Sequence, residues 1–441
     1  MLKRHKKKEL LDMISSMEEI TQLTARRLGE NIPVAIETLA QCQEAAIATG
    51  NVLETYGEAG EHIVKDLEDY CENLYQMSIA AEDMERCRKL VKRVKKQLLA
   101  IHSSIRHDLP EDRKEIVFLP YKASMWDSLE SVWRAAEEDE SCDAYVIPIP
   151  YFDKNPDGSF GRMHYEGNEY PDDVPVTSWE EYRISERRPD VIYFHNPYDQ
   201  CNYVTSVHPD FYASCLRKYT DMLVYIPYFI AVNDTVPEHF CVTPGVLYAH
   251  KVVVQSENVR KTYIQEIHKY ERENHCKDAF GKAEDKILAL GSPKYDKAAT
   301  ASEDQYEIPQ DWEKRILKAD GSRKKVILYN TTIDAMLRYR EEMIEKIRRT
   351  LEIFKNSQEV ALLWRPHPLL KTTLQSMHPQ LLLDYIQIEK QYQEEGWGIY
   401  DDTAQLYRAI TLSDAYYGDW SSVVELYKQT GKPFMIQNIE V

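Results

Sequence analysis

Short apolar runs alternate with helix-like stretches from Lys114 onward, and this alternation restricts the fold more than any other feature of the chain. Glu115-Ile-Val-Phe-Leu-Pro120 has the continuous apolar character of a strand covered on both faces. A helix candidate over 125–136 and a second apolar run, Ala144–Pro150, complete a strand–helix–strand unit, which implies parallel strands joined by a crossover. Further strands are expected at 190–195, 223–227, 251–255 and 286–290, while 153–187, rich in Asp, Gly, Pro and Tyr, reads as an insertion or loop. After a connection at 309–321 a second series begins. Its strands are expected at 325–329, 360–365, 399–401, 415–417 and 433–436, and its helices at 335–357, 379–394, 403–413 and 421–430. The expected fold class is α/β, with two Rossmann-like domains at 111–305 and 306–441 and a cleft between them. Ligands of open α/β sheets sit beyond the carboxyl ends of the strands, so the loops just after them are where chemistry is sought.

The first 110 residues are of another kind. From 8 to about 106 the pattern is helical, with apolar residues three and four apart, as in Leu10, Met13, Met17 and Ile20, then Val64, Leu67, Tyr70, Leu74 and Met77. Breaks are expected at Gly29–Pro33, Thr49–Asn51 and Gly57–Gly60. Three or four amphipathic helices either fold back on each other or pair, coiled-coil fashion, with another subunit, which allows a homo-oligomer through this segment.

Charge and cysteine usage narrow the class. A formal net charge of −18 over 441 residues repels phosphate backbones, so nucleic acid is not an expected partner. The exception is the cluster Lys3, Arg4, Lys6, Lys7 and Lys8, which serves either as a solvated end or as a peripheral contact with an anionic membrane face. Glu9, Asp12 and Glu18 interrupt any apolar stretch after it, so no signal peptide is expected, and no window has the length of a membrane span. Eight cysteines without a CxxC pair fit a reducing cytoplasm, not a disulfide scaffold or a zinc site. Thirty tyrosines against ten phenylalanines suit half-buried grooves, where a ring packs and a hydroxyl stays wet.

Four loops carry candidate chemistry. Tyr329-Asn330-Thr331-Thr332 lies between a strand and a helix, where Thr331 and Thr332 either cap the helix or present N–H groups to a phosphate. In Trp364-Arg365-Pro366-His367-Pro368 two prolines stiffen a turn that offers a guanidinium and an imidazole, the groups that grip phosphate oxygens. Gly418-Asp419-Trp420-Ser421-Ser422 combines a glycine that permits close approach with two serines at a helix start. Glu425, one turn into that helix, either reaches a ribose hydroxyl or completes a capping box with Ser422. Gly291-Ser292-Pro293-Lys294-Tyr295-Asp296 leaves the first α/β unit; it is a good turn in its own right, and Gly291 and Ser292 can line the cleft beside a nucleotide. No metal or cofactor is expected, since Asp401-Asp402 reads as a helix cap ahead of Thr403.

Taken in order, Gly-Ser-Pro-Lys-Tyr-Asp, Trp-Arg-Pro-His-Pro and Gly-Asp-Trp-Ser-Ser-Val, followed by Gly-Lys-Pro, make the chain resemble the CDP-glycerol glycerophosphotransferase family over about 114–441, most strongly from 286 on. That resemblance implies a GT-B-type fold and a place in the synthesis of teichoic-acid-like polymers. It implies transfer of a polyol phosphate, glycerol phosphate first, from a CDP-alcohol donor to a hydroxyl acceptor that can be lipid-linked, at the inner face of the cell membrane. It further implies that Arg365 and His367 hold the donor pyrophosphate and that Ser421 and Ser422 bind phosphate. The family's first-domain Trp-His-Gly-Thr-Pro loop, whose His is its proposed base, is replaced here by Val224-Tyr225-Ile226-Pro227-Tyr228-Phe229. His195 or His208 are the substitutes to consider, His195 from the polar, aromatic loop Phe194–Asp199. Two other readings stay open: a UDP-sugar glycosyltransferase or epimerase on the same fold, and a non-catalytic scaffold with a nucleotide pocket.

Overall fold

The computed structural model describes residues 3–27, 31–110 and 112–437. The chain divides into two compact units, one made of residues 1–115 with the short pieces 140–143 and 188–190, the other of the remainder.

The first unit is a bundle of four helices, α1 (Arg4–Arg27), α2 (Ile32–Glu54), α3 (Glu58–Ile79) and α4 (Met84–His107). Each packs on the next and α4 returns to α1, so the helices fold back on each other. In α1 the buried stripe is Leu10, Ile14, Met17, Thr21 and Thr24, a three-and-four spacing that keeps one face inward. Met13 and Ile20, expected inside, are 44% and 41% exposed. The expected break at Thr49–Asn51 does not occur: the Thr49 hydroxyl donates to the Ala45 carbonyl at 2.8 Å and α2 runs on. The chain turns instead at 80–83, where Asp83 caps α4 by accepting from the Glu85 and Arg86 N–H groups. The Gly29 end of the first expected break lies outside the described residues.

The second unit is α/β. Its strands, with the starts of β1 and β2 belonging to the first unit, are β1 (Lys114–Leu119), β2 (Cys142–Val146), β3 (Tyr151–Lys154), β4 (Phe160–His164), β5 (Val191–Phe194), β6 (Thr205–Val207) and β7 (Met222–Tyr225). They continue as β8 (Lys251–Val254), β9 (Ile287–Ala289), β10 (Lys325–Thr331), β11 (Val360–Pro366), β12 (Ile399–Tyr400), β13 (Ala415–Gly418) and β14 (Phe434–Ile436). The first large sheet has the order β2-β1-β5-β7-β8-β9 and the second β12-β11-β10-β13-β14. Pairing is parallel from β1 through β9 across β5, β7 and β8, and throughout the second sheet. The stretch read as a loop holds β3 and β4, which pair with each other and with β6 as a small antiparallel sheet. Its short strands, interrupted by the turn at Asp157-Gly158, are too brief to show as a run of alternating residues.

In the second sheet the strand period of two divides the core. Val326, Leu328, Ala361 and Leu363 pack under one face, and Tyr329, Leu362 and Trp364 under the other, all fully buried. Helices on both faces make it a doubly wound sheet, which is the GT-B-type expectation for a pair of such units.

Candidate functional site

Each large sheet reverses its strand order once, and the crevice opens there because the flanking loops leave to opposite faces. In the second sheet the reversal lies between β10 and β13. The segments that follow are Asn330–Thr332 and Gly418–Ser422, two of the four loops singled out in the sequence.

Asn330 ties this crevice together. Its side chain donates to the Arg365 carbonyl at 2.9 Å and accepts from the Ser421 hydroxyl at 3.1 Å. Beside it the Trp364 indole donates to the Thr331 hydroxyl at 3.2 Å, and the His367 N–H donates to the Thr331 carbonyl at 2.9 Å. Gly418 is required by crowding: a Cβ there would lie 2.3 Å from the Asn330 carbonyl oxygen. Asp419 is buried and its carboxylate accepts from the Thr332 N–H at 2.8 Å and from Lys346 Nζ at 2.8 Å. The positive start of helix 333–355 therefore already faces a carboxylate, itself compensated by a buried ammonium.

The sequence candidates divide by what their side chains have free. The Arg365 guanidinium is spent inside the protein, on the Asp401 carboxylate and on the Thr403 carbonyl at 2.8 Å. Asp401 in turn accepts from the Thr403 N–H and hydroxyl, so the Asp401-Asp402 stretch is a turn locked onto Arg365. Thr332 caps helix 333–355 through the Ala335 N–H at 3.2 Å, and Ser421 caps helix 422–428 through the Val423 N–H at 3.2 Å. Ser422 is the first residue of that helix. Glu425 accepts from the Asn233 N–H at 3.4 Å, a contact from the loop after β7, and pairs with Lys428 at 3.1 Å. His367 is exposed, and its Nδ1 accepts from the Leu369 N–H at 3.2 Å. That bond leaves the proton of the neutral ring on Nε2, as a donor. Desolvation lowers its pKa below the usual imidazole value, so the neutral form prevails at neutral pH.

In the first sheet the reversal lies between β1 and β5. His195, at the end of β5, is fully buried there. Its Nε2 accepts from the Tyr121 N–H at 3.1 Å, and its Nδ1 lies 2.8 Å from the Ser128 hydroxyl, which donates onward to the Met125 carbonyl at 2.8 Å. Burial pushes its pKa down to about 3. Both nitrogens of His195 are thus occupied inside the core, where the ring joins the ends of β1 and β5. His208 is likewise occupied, accepting from the Asp210 N–H at 3.3 Å among Phe152, Trp179 and Phe211.

Beside this crevice stand Tyr198 and Tyr228, from loops already marked in the sequence, and Lys122, Tyr151 and Glu166, which were not. Lys122, just past β1, holds its ammonium 5.7 Å from the Tyr121 ring centre and 5.2 Å from that of Tyr151. The Tyr151 hydroxyl donates to Glu166 at 2.6 Å, and Tyr198 and Tyr228 share a hydrogen bond of 3.1 Å between hydroxyls. The surplus of tyrosine pointed to such a groove without saying which tyrosines form it. Gly291 takes a left-handed conformation, φ +99°, and Ser292 caps helix 293–300. Lys294 of that helix reaches both oxygens of Asp127 at 2.6 and 2.7 Å, and the Tyr407 hydroxyl donates to the same carboxylate at 2.7 Å. The Gly-Ser-Pro-Lys-Tyr-Asp stretch is thus the joint between the two sheets. Among the described residues no group of three or more His, Cys, Asp and Glu gathers as for a metal ion, and no helix is long and apolar enough to cross a membrane.

The curated proteins contain no match. Among solved structures the chain is similar to S. aureus MnaA with UDP, at TM-score 0.41 and 12% identity over 73% of this chain and 78% of that one. It is similar to the wall teichoic acid polymerase TagF at TM-score 0.39 and 15% identity, over 73% and 70%. It is also similar to UDP-GlcNAc 2-epimerase from Neisseria meningitidis at TM-score 0.42 and 11% identity, over 73% and 82%. Residues 249–441, which contain β8, β9, the joint and the whole second sheet, match the model of one family. The match supports a CDP-glycerol-type glycerophosphotransferase. Residues 249–441 are thus similar to the CDP-glycerol:poly(glycerophosphate) glycerophosphotransferases.

Proposed function

We propose that the protein transfers glycerol phosphate from CDP-glycerol to a hydroxyl acceptor, with the donor at the β10/β13 crevice and the acceptor at the β1/β5 crevice. The observation that carries this reading is exposed His367, whose Nδ1 accepts from the Leu369 N–H and whose own backbone N–H is bonded to the Thr331 carbonyl beside the loops that Asn330 gathers. The acceptor oxygen attacks the distal phosphorus in line. A P–O bond forms to the acceptor, the P–O bond to CMP breaks, and the acceptor's proton passes to solvent. Such transfers have a loose transition state and need positioning and charge stabilisation more than covalent help. His367 donates to a pyrophosphate oxygen, and Ser421, Ser422, Thr331 and Thr332 bound the phosphate site. Gly418 lets the two loops close on it. Arg365 acts one layer behind, holding the Asp401–Thr403 turn. Glu425, Gly291 and Ser292 flank the nucleoside. Lys122 offers a cation to the acceptor side.

The test is calorimetric titration with CDP-glycerol, CDP-ribitol and UDP-N-acetylglucosamine, followed by assay of nucleotide release. CMP release is expected from a CDP-alcohol only, and His367→Ala is expected to slow it by about 10²–10³-fold, the usual effect of losing one donor to a developing charge. Because His367 is exposed, its thermal unfolding should be unchanged. Release of UDP or UMP would replace this reading with the UDP-sugar one, and absence of binding to all three would favour a scaffold.

A further inference from the structure

The helical unit carries its charge in two halves. Helix α4 presents eight lysines and arginines against one carboxylate, Glu85. Helix α3 presents six carboxylates against one lysine, Lys65, and α2 adds three glutamates and no cation. The helices touch in the cyclic order α1–α2–α3–α4, so the α1/α4 seam and the α2/α3 seam lie on opposite sides of the bundle.

Each seam holds a groove with an apolar floor and a charged rim. The α1/α4 groove, about 570 Å³, has Ala25 and Val91 in its floor and Arg26, Arg88, Lys92 and Lys95 around it. The α2/α3 groove, about 430 Å³, has Ala46 and Leu67 in its floor and Glu54, Glu68 and Glu72 around it. Arg88 and Lys92 on one side, and Glu54, Glu68 and Glu72 on the other, form no ion pair among the described residues. Ile47 and Tyr75, beside the acidic rim, are exposed large apolar residues.

We propose that the helical unit binds a second copy of this chain, with the basic α1/α4 groove of one copy seated on the acidic α2/α3 groove of the next. Two different patches meet, so the contact is heterologous and builds a ring if its rotation closes and a filament if it does not. The apolar floors supply buried area, and the rims set orientation, because basic on basic and acidic on acidic repel. An anionic membrane would occupy the basic groove alone and leave the acidic groove, with Ile47 and Tyr75, uncovered. A second copy covers both, which favours it.

The full chain tests this by sedimentation velocity over a wide concentration range. Its mass is expected to rise with concentration, and the affinity to fall at least about tenfold from roughly 50 to 500 mM salt as the rims are screened. Arg88→Glu/Lys92→Glu/Lys95→Glu and Glu54→Lys/Glu68→Lys/Glu72→Lys change exposed positions only, so circular dichroism should show both folded. Each variant alone is expected to stay monomeric, and an equimolar mixture to associate. A chain that is monomeric throughout, or whose association ignores either reversal or is not restored by mixing, overturns the proposal. A monomer that binds phosphatidylserine vesicles through Arg88, Lys92 and Lys95 overturns it too, and gives the basic groove to lipid.

Discussion

At the scale of single residues, two buried titratable groups of the first sheet bear on stability with opposite sign. His195 is neutral in the fold, with its pKa driven down to about 3 by burial, so the stability it contributes is present above its ordinary value near 6.5 and is lost as pH falls toward 3. Asp199 is nearly inaccessible, its Oδ2 accepts from the Ala213 N–H at 2.9 Å, and its Oδ1 has no partner. Burial pushes its carboxyl up to about 7, so its contribution is present below its ordinary value of 3.8 and is lost as pH rises through 7. Between about pH 4 and 6.5 the two oppose each other. Asp199→Asn removes one side. Its stability relative to wild type, from urea denaturation, is expected to climb by about 1.4 kcal/mol per pH unit between about pH 4 and 7. A flat difference would mean that Asp199 ionises normally in the fold.

At the scale of elements, the loop Gly418–Ser422 owes its position to helix 333–355 as much as to its own strand. Lys346, inside that helix and buried, reaches Asp419 at 2.8 Å and the Gln437 carbonyl at 3.2 Å. Removing one partner of a buried pair leaves a charge with no compensation, which costs about 3–5 kcal/mol. Lys346→Met is therefore expected to lower the unfolding free energy by that amount, and Lys346→Met/Asp419→Asn by clearly less, since the second change removes the stranded carboxylate. Equal losses in the single and double variants would show that the pair is not what holds the loop.

At the scale of the whole molecule, the two halves of the α/β unit meet through a few polar contacts. Asp127, which follows β1, is shared by Lys294 of helix 293–300 and Tyr407 of helix 406–412, and Ala298 of the former packs into the core under the second sheet. Glu425 meets the Asn233 N–H across the same division. These few polar contacts join the two halves of the unit. Asp127→Asn is expected to cost about 1–3 kcal/mol, as for other hydrogen bonds to charged groups. Hydrogen exchange should quicken at 293–300 and 406–412 while β10, β11 and β13 exchange as before. Uniform quickening, central strands included, would mean that Asp127 supports the fold as a whole and not the joint.

The sequence by itself determined the α/β class, because β10 and β11 are short apolar runs whose neighbours are amphipathic at the helical period, and that contrast is local. It also exposed the order of the joint, the Arg365–His367 turn and the Gly418–Ser422 loop, since each joins a strand end to special backbone chemistry within a few residues. What each side chain does was decided only by the tertiary structure. Arg365 looked like a phosphate ligand until Asp401, 36 positions on, took its guanidinium. His195 looked like a candidate base until Tyr121 and Ser128 took both its nitrogens, and Lys122, unremarked in the sequence, gained its setting only when Tyr151 came beneath it. A side chain's chemistry depends on which partners reach it first and on how much water is left around it, and both are set by residues far away in the chain.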